Sequence, residues 1–207
     1  MGGVFLTGAS GFMGRRLAEE LLRRGHAVRC LVRRGSERGV EPGCETVVAN
    51  PLDAATYSPN VAGCDTFVHL VGVAHPSPAK AAQFRSVDLV SAKAAVAAAK
   101  SAAVRHFVYV SVAHPAPVMQ AYIAARTEAE AAIRAYGLDA TILRPWYVLG
   151  PGRQWPLLLS PIFRLLPDRL GLVRIEDMVA TLADAVEHPP RGVRIVEVPE
   201  IRRRTAR

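Results

Sequence analysis

The sequence contains few cysteines, few lysines and few aromatic residues, and these shortages exclude several classes of function. Cys30, Cys44 and Cys64 form no C-x-x-C pair, so neither a metal site nor a redox motif is predicted. No G-x-S-x-G or H-E-x-x-H sequence occurs, which leaves hydrolase and metalloprotease chemistry without support. No apolar run approaches the length of a membrane span. Unpatterned thiols with no targeting segment favour a reducing, cytoplasmic location.

Acidic residues are also in short supply, and the formal net charge is +8. Only three of the 26 basic residues are lysines, and the arginines are spread along the chain. Nucleic-acid interfaces usually gather basic residues on one face, with aromatic residues between them. We therefore predict no nucleic-acid partner and interpret the charge as favouring small anionic ligands.

Apolar, β-rich segments alternate with helical patterns over the first 145 residues. The strand-like segments are residues 4–6, 28–32, 46–48, 66–71, 107–112 and 141–143. The helix-like segments are residues 12–24, 79–102 and 119–136. Buried strands separated by helices predict an α/β fold with a doubly wound, mostly parallel sheet.

Five prolines and two tryptophans change the character of the chain after residue 144, before a helical pattern at 176–187 and a strand pattern at 193–198. We interpret residues 1–145 as the core and residues 146–207 as a small C-terminal lobe that completes one compact domain. Residues 146–166 would form a lid over the carboxyl edge of the sheet.

A glycine-rich loop follows the first strand directly and opens the first helix. It consists of Thr7, Gly8, Ala9, Ser10, Gly11, Phe12, Met13 and Gly14. Gly8 permits a tight turn, Gly11 lets backbone N–H groups approach a pyrophosphate, and Gly14 lets the helix pack closely on the sheet. The helix N-terminus adds unpaired donors and partial positive charge. The loop therefore predicts a dinucleotide-binding site.

The G-x-x-G-x-x-G spacing of this loop resembles the extended and atypical short-chain dehydrogenase/reductase superfamily. The resemblance continues over nearly the whole chain. Within the superfamily, the sequence is most similar to the atypical members, which include NmrA-like regulators and an accessory subunit of respiratory complex I. The further segments that carry it are Leu70-Val71-Gly72, Tyr109-Val110-Ser111, the Tyr122 to Arg126 interval, and Leu143-Arg144-Pro145 followed by Gly150. It implies a Rossmann fold and a nicotinamide cofactor.

The cofactor predicted from these residues is NADP(H), with NAD as the alternative. In NAD-binding Rossmann domains an acid near the end of the second strand binds the ribose, whereas here Arg33 and Arg34 stand there and suit a 2′-phosphate. Asn50 replaces the acid that the family usually has near the adenine. The complete set of predicted cofactor residues is Thr7, Gly8, Ser10, Gly11, Phe12, Met13, Gly14, Arg33, Arg34, Asn50, Leu70, Val71, Gly72 and Pro145.

The resemblance also assigns catalytic roles. Tyr122 would be the general acid/base and Ser111 would position the substrate carbonyl, while Arg126 stands in the place of the family lysine. Four residues separate Tyr122 from Arg126, which puts them on one face of a helix, and a cation beside a phenol lowers its pKa. His75 and His114, in loops after strands, are further candidates for substrate contact, and His69 is interpreted as a core residue.

Two functions remain open from the sequence. The first is an NADP(H)-dependent oxidoreductase that transfers hydride to a small apolar carbonyl, enone or quinone. The second is a non-catalytic NADP(H)-binding module that senses redox state or scaffolds a complex, which the change from lysine to Arg126 favours. The alanine-rich helix at 92–103 either packs on the sheet or forms a homodimer face.

Overall fold

The structure is a computed structural model, and it describes residues 2–116, 118–154 and 167–203. The strands are β1 Gly3–Thr7, β2 Ala27–Val32, β3 Glu45–Val48, β4 Thr66–His69, β5 His106–Val110, β6 Ala140–Arg144, β7 Tyr147–Leu149, β8 Leu172–Arg174 and β9 Val193–Glu197. The helices are α1 Gly14–Arg23, α2 Ser58–Val61, α3 Ala81–Gln83, α4 Val90–Ser101, α5 Gln120–Ala135, α6 Ile175–Glu187 and α7 Val198–Arg202.

Seven strands form one parallel sheet in the order β3-β2-β1-β4-β5-β6-β9. The order reverses direction at β1, which places the ends of β1 and β4 at the point where Rossmann domains bind dinucleotides. The doubly wound parallel sheet predicted from the sequence is therefore confirmed.

Side chains alternate between two apolar layers, one on each face of the sheet. Val4 and Leu6 face α1 and α6, whereas Phe5 faces the layer that includes α4 and α5. Phe5, Phe67 and Phe107 lie in register on adjacent strands, with ring centroids 5.1 and 5.3 Å apart. This aromatic row fixes the register of three central strands, since a one-residue slip would turn each ring to the other face.

The alanine-rich helix α4 packs on the sheet. Its small side chains at Ala92, Ala95, Ala98 and Ala99 are all buried within the chain. Packing on the sheet, one of the two interpretations of this segment, is therefore confirmed.

The structure corrects several predicted boundaries. β4 ends at His69 and β5 at Val110, two residues earlier than predicted in each case. The helical segment predicted at 79–102 is interrupted, because a π-helical stretch, Phe84–Leu89, joins α3 to α4. Its Asp88 accepts a hydrogen bond from the backbone of Val73, outside the helix, at 3.0 Å. The last strand ends at Glu197, one residue earlier than predicted, because α7 begins at Val198.

The C-terminal segment contributes to the main sheet as well as to a smaller one. β9 pairs with β6 in the main sheet, and β7 pairs with β8 in a two-stranded sheet. Helix α6 lies against α1, where Arg24 binds Asp184 at 2.6 Å and Glu187 at 2.7 Å. Of the predicted lid, residues 155–166 lie outside the described residues, and the division at residue 145 stays a prediction. None of the described helices has the length and apolar character to cross a bilayer.

Candidate functional site

The glycine loop joins β1 to α1 with two close backbone approaches. Gly8 has a φ of +74°, and a Cβ at this position would lie 2.8 Å from the carbonyl carbon of Leu70. A Cβ on Gly14 would overlap the Gly8 carbonyl oxygen. Only glycine fits at either position without movement of the backbone. The two residues therefore determine the tight turn after β1 and the close packing of α1 on the sheet.

Gly11 is less crowded than Gly8 or Gly14. The nearest atom that a Cβ would meet is the Gly8 carbonyl oxygen, at 3.1 Å, and the Gly11 N–H donates to that same oxygen at 3.0 Å. The first turn of α1 contains no acidic residue, so nothing opposes the positive end of its dipole. The space beside Gly11 and the start of α1 therefore suits a pyrophosphate.

A cleft of about 570 Å³ extends from this loop along the carboxyl ends of the strands. It is lined by the glycine loop, by the segments that follow β2, β3 and β4, and by Lys80, Gln83 and Val87. The lining includes Gly8, Ser10, Gly11, Arg33, Asn50, Leu70, Val71, Gly72 and Lys80. The position and volume of the cleft, and the glycine loop that lines it, fit a dinucleotide.

Arg33 and Arg34 lie where the cleft passes the end of β2. Together with Val48, Ala49 and Asn50 they line an adjoining hollow of about 410 Å³. Within residues 2–116, 118–154 and 167–203, no carboxylate forms a salt bridge with Arg33 or Arg34. The Asn50 side chain accepts a hydrogen bond from the Leu52 N–H at 3.1 Å, which fixes its orientation at the rim.

Four of the predicted cofactor residues point their side chains elsewhere. The Thr7 hydroxyl is buried against His69 at 2.9 Å, and Met13 packs against the apolar core. The Phe12 ring lies under two guanidiniums, those of Arg16 at 4.9 Å and Arg153 at 4.3 Å. Pro145 is buried, and its carbonyl accepts from the Ala113 N–H at 3.0 Å. These residues shape the loop and the sheet edge through backbone and packing.

Arg126 is held by a buried ion pair. Its Nη2 donates to Asp88 Oδ1 at 2.6 Å, and its Nη1 donates to the Val110 carbonyl at 2.9 Å. The Asp88 side chain is 0 % exposed and that of Arg126 7 %. Burial raises the pKa of the Asp88 carboxyl, although the Arg126 charge opposes that rise. A Cβ on Gly72 would overlap the Arg126 guanidinium, so Arg126 lies directly behind the wall of the cleft.

Tyr122 lies one helical turn before Arg126 on α5. Its ring packs against Phe84 with centroids 4.9 Å apart, and the Arg126 guanidinium lies 5.1 Å from the Tyr122 ring centroid. The Tyr122 hydroxyl makes no hydrogen bond to any residue that the structure describes. Tyr122 therefore packs between Phe84 and the Arg126 guanidinium.

Ser111 is engaged with a second buried carboxylate. Its hydroxyl donates to Glu130 Oε1 at 2.6 Å, and Arg144 binds the same carboxylate through Nε at 3.0 Å and Nη2 at 2.5 Å. Burial raises the pKa of Glu130, but the hydrogen bonds from Arg144 and Ser111 lower it by more, so the net pKa lies below its usual value. Glu130 follows Tyr122 by eight residues, about 12 Å along the axis of α5. The proton of the Ser111 hydroxyl is thus donated to Glu130.

Comparisons with known proteins agree with a dinucleotide-binding fold. The sequence profile of the NAD(P)H-binding family matches residues 8–154. The chain belongs to the NAD(P)H-binding family. A solved structure of a short-chain dehydrogenase/reductase superfamily protein from Agrobacterium tumefaciens, with bound NAD, shares the fold with a TM-score of 0.71. It is 20% identical to this chain, and the match covers 94% of this chain and 77% of the other.

Two curated relatives of this NAD(P)H-binding protein are named for reductions. It is 32% identical to a ceramide reductase of Caulobacter vibrioides, across 98% of this chain and 66% of the relative. It is 27% identical to 4-hydroxy-2-methyl-3-oxo-4-farnesyl-3,4-dihydroquinoline-1-oxide ketoreductase of Stigmatella aurantiaca, across 71% of this chain and 50% of the relative. The chain therefore spans between half and two thirds of the length of these relatives.

The sequence analysis missed three residues in or around the candidate site. Asp88 and Glu130 hold the two predicted catalytic residues Arg126 and Ser111, and Lys80 lines the cleft with its Nζ on the Ala74 carbonyl at 2.5 Å. A signal for Glu130 was available, because it follows Arg126 by four residues and so shares its helix face. Asp88 and Lys80 had no comparable signal.

Proposed function

We propose that this chain is an NADP(H)-dependent reductase of apolar carbonyl compounds. The observation that carries the proposal is the cleft, which joins a glycine loop suited to pyrophosphate with two arginines at the end of β2. When bound there, the cofactor supplies a hydride. The names of both relatives, one for a ceramide and one for a farnesylated ring ketone, support a carbonyl substrate with a large apolar part.

The preference for NADP(H) is argued from charge at the ribose end of the cleft. Arg33 lines both the cleft and the adjoining hollow, and Arg34 lines the hollow. A guanidinium offers paired donors to a phosphate, and hydrogen bonds to a charged group contribute about 1.5–3 kcal/mol each. Among the described residues no carboxylate forms a salt bridge with Arg33 or Arg34, and the nearest acid in sequence, Glu37, lies three residues beyond them.

Calorimetric titration tests this preference. We expect the native protein to bind NADPH at least tenfold more tightly than NADH. Arg33→Ala combined with Arg34→Ala should remove most of the difference by weakening NADPH alone. Arg134→Ala, an exposed arginine in the last turn of α5, is the matched control and should change neither affinity. Equal affinities of the native protein for the two cofactors would refute the assignment.

Within the proposed reaction, Tyr122 donates the proton to the carbonyl oxygen. Its available hydroxyl and the nearby Arg126 support this role, and Arg126 acts on it as a fixed charge behind Gly72. Tyr122→Phe should therefore abolish turnover of NADPH with an apolar ketone, enone or quinone while NADPH affinity stays almost unchanged, since the phenol acts mainly in the transition state.

A non-catalytic NADP(H)-binding module is the second candidate. It is favoured by the commitment of both Ser111 and Arg126 to buried carboxylates, which removes two groups that the resemblance would assign to catalysis. NADPH oxidation with 2-dodecanone, 2-cyclohexenone and menadione separates the candidates. Tight NADPH binding without oxidation by any of the three compounds would favour the binding module.

A further inference from the structure

Lys80 reaches the dinucleotide cleft from the segment that follows β4. It lines the cleft together with Gly8, Ser10 and Gly11 of the glycine loop. Strand β1, which leads into that loop, pairs with β2 along one edge and with β4 along the other. The segment after β2, with Arg33, and the segment after β4, with Lys80, therefore leave the sheet on opposite sides of the glycine loop.

The segment after β4 starts in a fixed position against the glycine loop. The Leu70 N–H donates to the Thr7 carbonyl at 3.2 Å, and the Leu70 carbonyl carbon lies 2.8 Å from the place of a Cβ on Gly8. Three residues later, the Val73 N–H donates to the buried Asp88 carboxylate at 3.0 Å. These contacts make the start of the segment a fixed wall of the cleft.

The Lys80 ammonium is held at the end of this wall. Its Nζ donates to the Ala74 carbonyl at 2.5 Å, and the Lys80 N–H donates to the Ser77 carbonyl at 2.9 Å. An ammonium has three N–H donors, so two remain after the bond to Ala74. Among the residues that the structure describes, no carboxylate forms a salt bridge with Lys80, whereas Lys93 binds Glu128 at 2.7 Å. Lys80 thus brings a positive charge and two hydrogen-bond donors to the cleft.

We propose that Lys80 binds the pyrophosphate of the dinucleotide, on the side of the glycine loop opposite Arg33 and Arg34. The glycine loop and the start of α1 offer backbone N–H donors and the positive end of a helix dipole, and Lys80 adds a full charge to them. The two arginines, at the end of β2, suit the 2′-phosphate, so the cations divide between the two phosphate-bearing parts of the cofactor. This assignment rests on the proposed cofactor site, and it requires neither the preference for NADP(H) nor turnover.

Calorimetric titration of Lys80 variants with both NADPH and NADH tests the assignment. Both cofactors contain the pyrophosphate, so Lys80→Met should weaken the binding of each by the same factor, about tenfold, as expected for one hydrogen bond to a charged group. Lys80→Arg keeps the charge and should lose less affinity than Lys80→Met. The loss in Lys80→Met should shrink when the salt concentration rises from about 0.05 M to about 0.5 M, because salt screens a charge at the rim of a cleft. A change in loop structure alone would not respond to salt in this way.

Lys100→Met is the matched control and should change neither affinity. Lys100 also donates to a backbone carbonyl, that of Tyr136 at 3.0 Å, but it is exposed near the end of α4 and does not line the cleft. A loss in Lys80→Met that is confined to NADPH would place Lys80 at the 2′-phosphate and overturn the assignment. Unchanged affinity for both cofactors, or a loss that does not vary with salt, would overturn it as well. A native protein that binds neither cofactor would refute the cofactor site and this assignment with it, whereas equal native affinities would refute only the preference for NADP(H).

Discussion

Arg126 stands where the resembling family has a lysine, and its surroundings explain what the larger cation does here. Its guanidinium binds Asp88, the Val110 carbonyl and the Tyr109 hydroxyl, the last at 3.3 Å. These partners come from the π-helical stretch and from β5, so one side chain of α5 joins three elements. A lysine ammonium on its flexible stem could not form the same planar set of contacts. Arg126 therefore acts structurally as well as electrostatically.

Replacement of Asp88 should lower the free energy of unfolding, because Arg126 would stay buried without its ion-pair partner. Asp88→Asn leaves the Arg126 guanidinium buried without a counter-charge, and such a broken pair usually costs about 3–5 kcal/mol of unfolding free energy. Replacing both residues, Asp88→Asn with Arg126→Met, should recover a large part of the loss because no unpaired charge remains. Urea unfolding of the two single variants and the double variant measures the coupling. A loss below 1 kcal/mol in Asp88→Asn would show that the pair contributes little.

At the scale of elements, the glycine loop combines two positions required by the fold with one that is free for a ligand. Gly8 and Gly14 are fixed by contacts with backbone, whereas a side chain at Gly11 would meet only the Gly8 carbonyl oxygen. The same motif thus contains residues with different roles, and substitution can separate them.

Gly11→Val should fold and fail to bind the cofactor. Its φ lies outside the left-handed region, and a Cβ there would meet only the Gly8 carbonyl oxygen, at 3.1 Å, so a small backbone shift accommodates valine, but the side chain would fill the space that suits the pyrophosphate. Gly14→Val is the contrasting variant and should lower the melting temperature strongly, because its Cβ would overlap the Gly8 carbonyl. Thermal melts and NADPH titration measure both effects. A Gly11→Val protein that melts normally and binds NADPH would show that the loop has been assigned wrongly.

The elements differ in how far the sequence could predict them. The β1 strand, its loop and α1 are predictable because consecutive residues determine all three. The partners of Ser111 and Arg126 are not, since Glu130 and Asp88 lie 19 and 38 residues away and meet them only through the fold. The break in the 79–102 helix has the same origin, because Asp88 binds a backbone N–H and a guanidinium outside its own helix. Local patterns thus predicted the glycine loop and its flanking elements better than the buried polar contacts of Ser111 and Arg126.

Across the whole molecule, two histidines lie inside the parallel sheet and are bonded as neutral rings. His69 on β4 contacts the Thr7 hydroxyl at 2.9 Å and the Ser91 hydroxyl at 3.3 Å. His106 on β5 contacts the Thr141 hydroxyl at 3.0 Å. The interpretation of His69 as a core residue is confirmed by its burial. Burial disfavours the charged form of both rings and lowers the pKa of each.

We therefore expect the protein to lose stability as the pH falls from about 6.5 to 5, which is above the pH range in which carboxylates usually titrate. Burial lowers the pKa of His69 to about 3 and that of His106 to about 4, whereas an unfolded histidine has a pKa of about 6.5. Between these values the unfolded state binds protons that the folded state does not, so stability falls as the pH falls below about 6.5. The two residues together should cost about 3 kcal/mol between pH 6.5 and pH 5, because each contributes at most about 1.4 kcal/mol per pH unit. Urea unfolding over this range should show the slope, and His106→Gln should reduce it by about half. A stability that stays flat or rises as the pH falls to 5 would contradict the burial of these histidines as neutral rings.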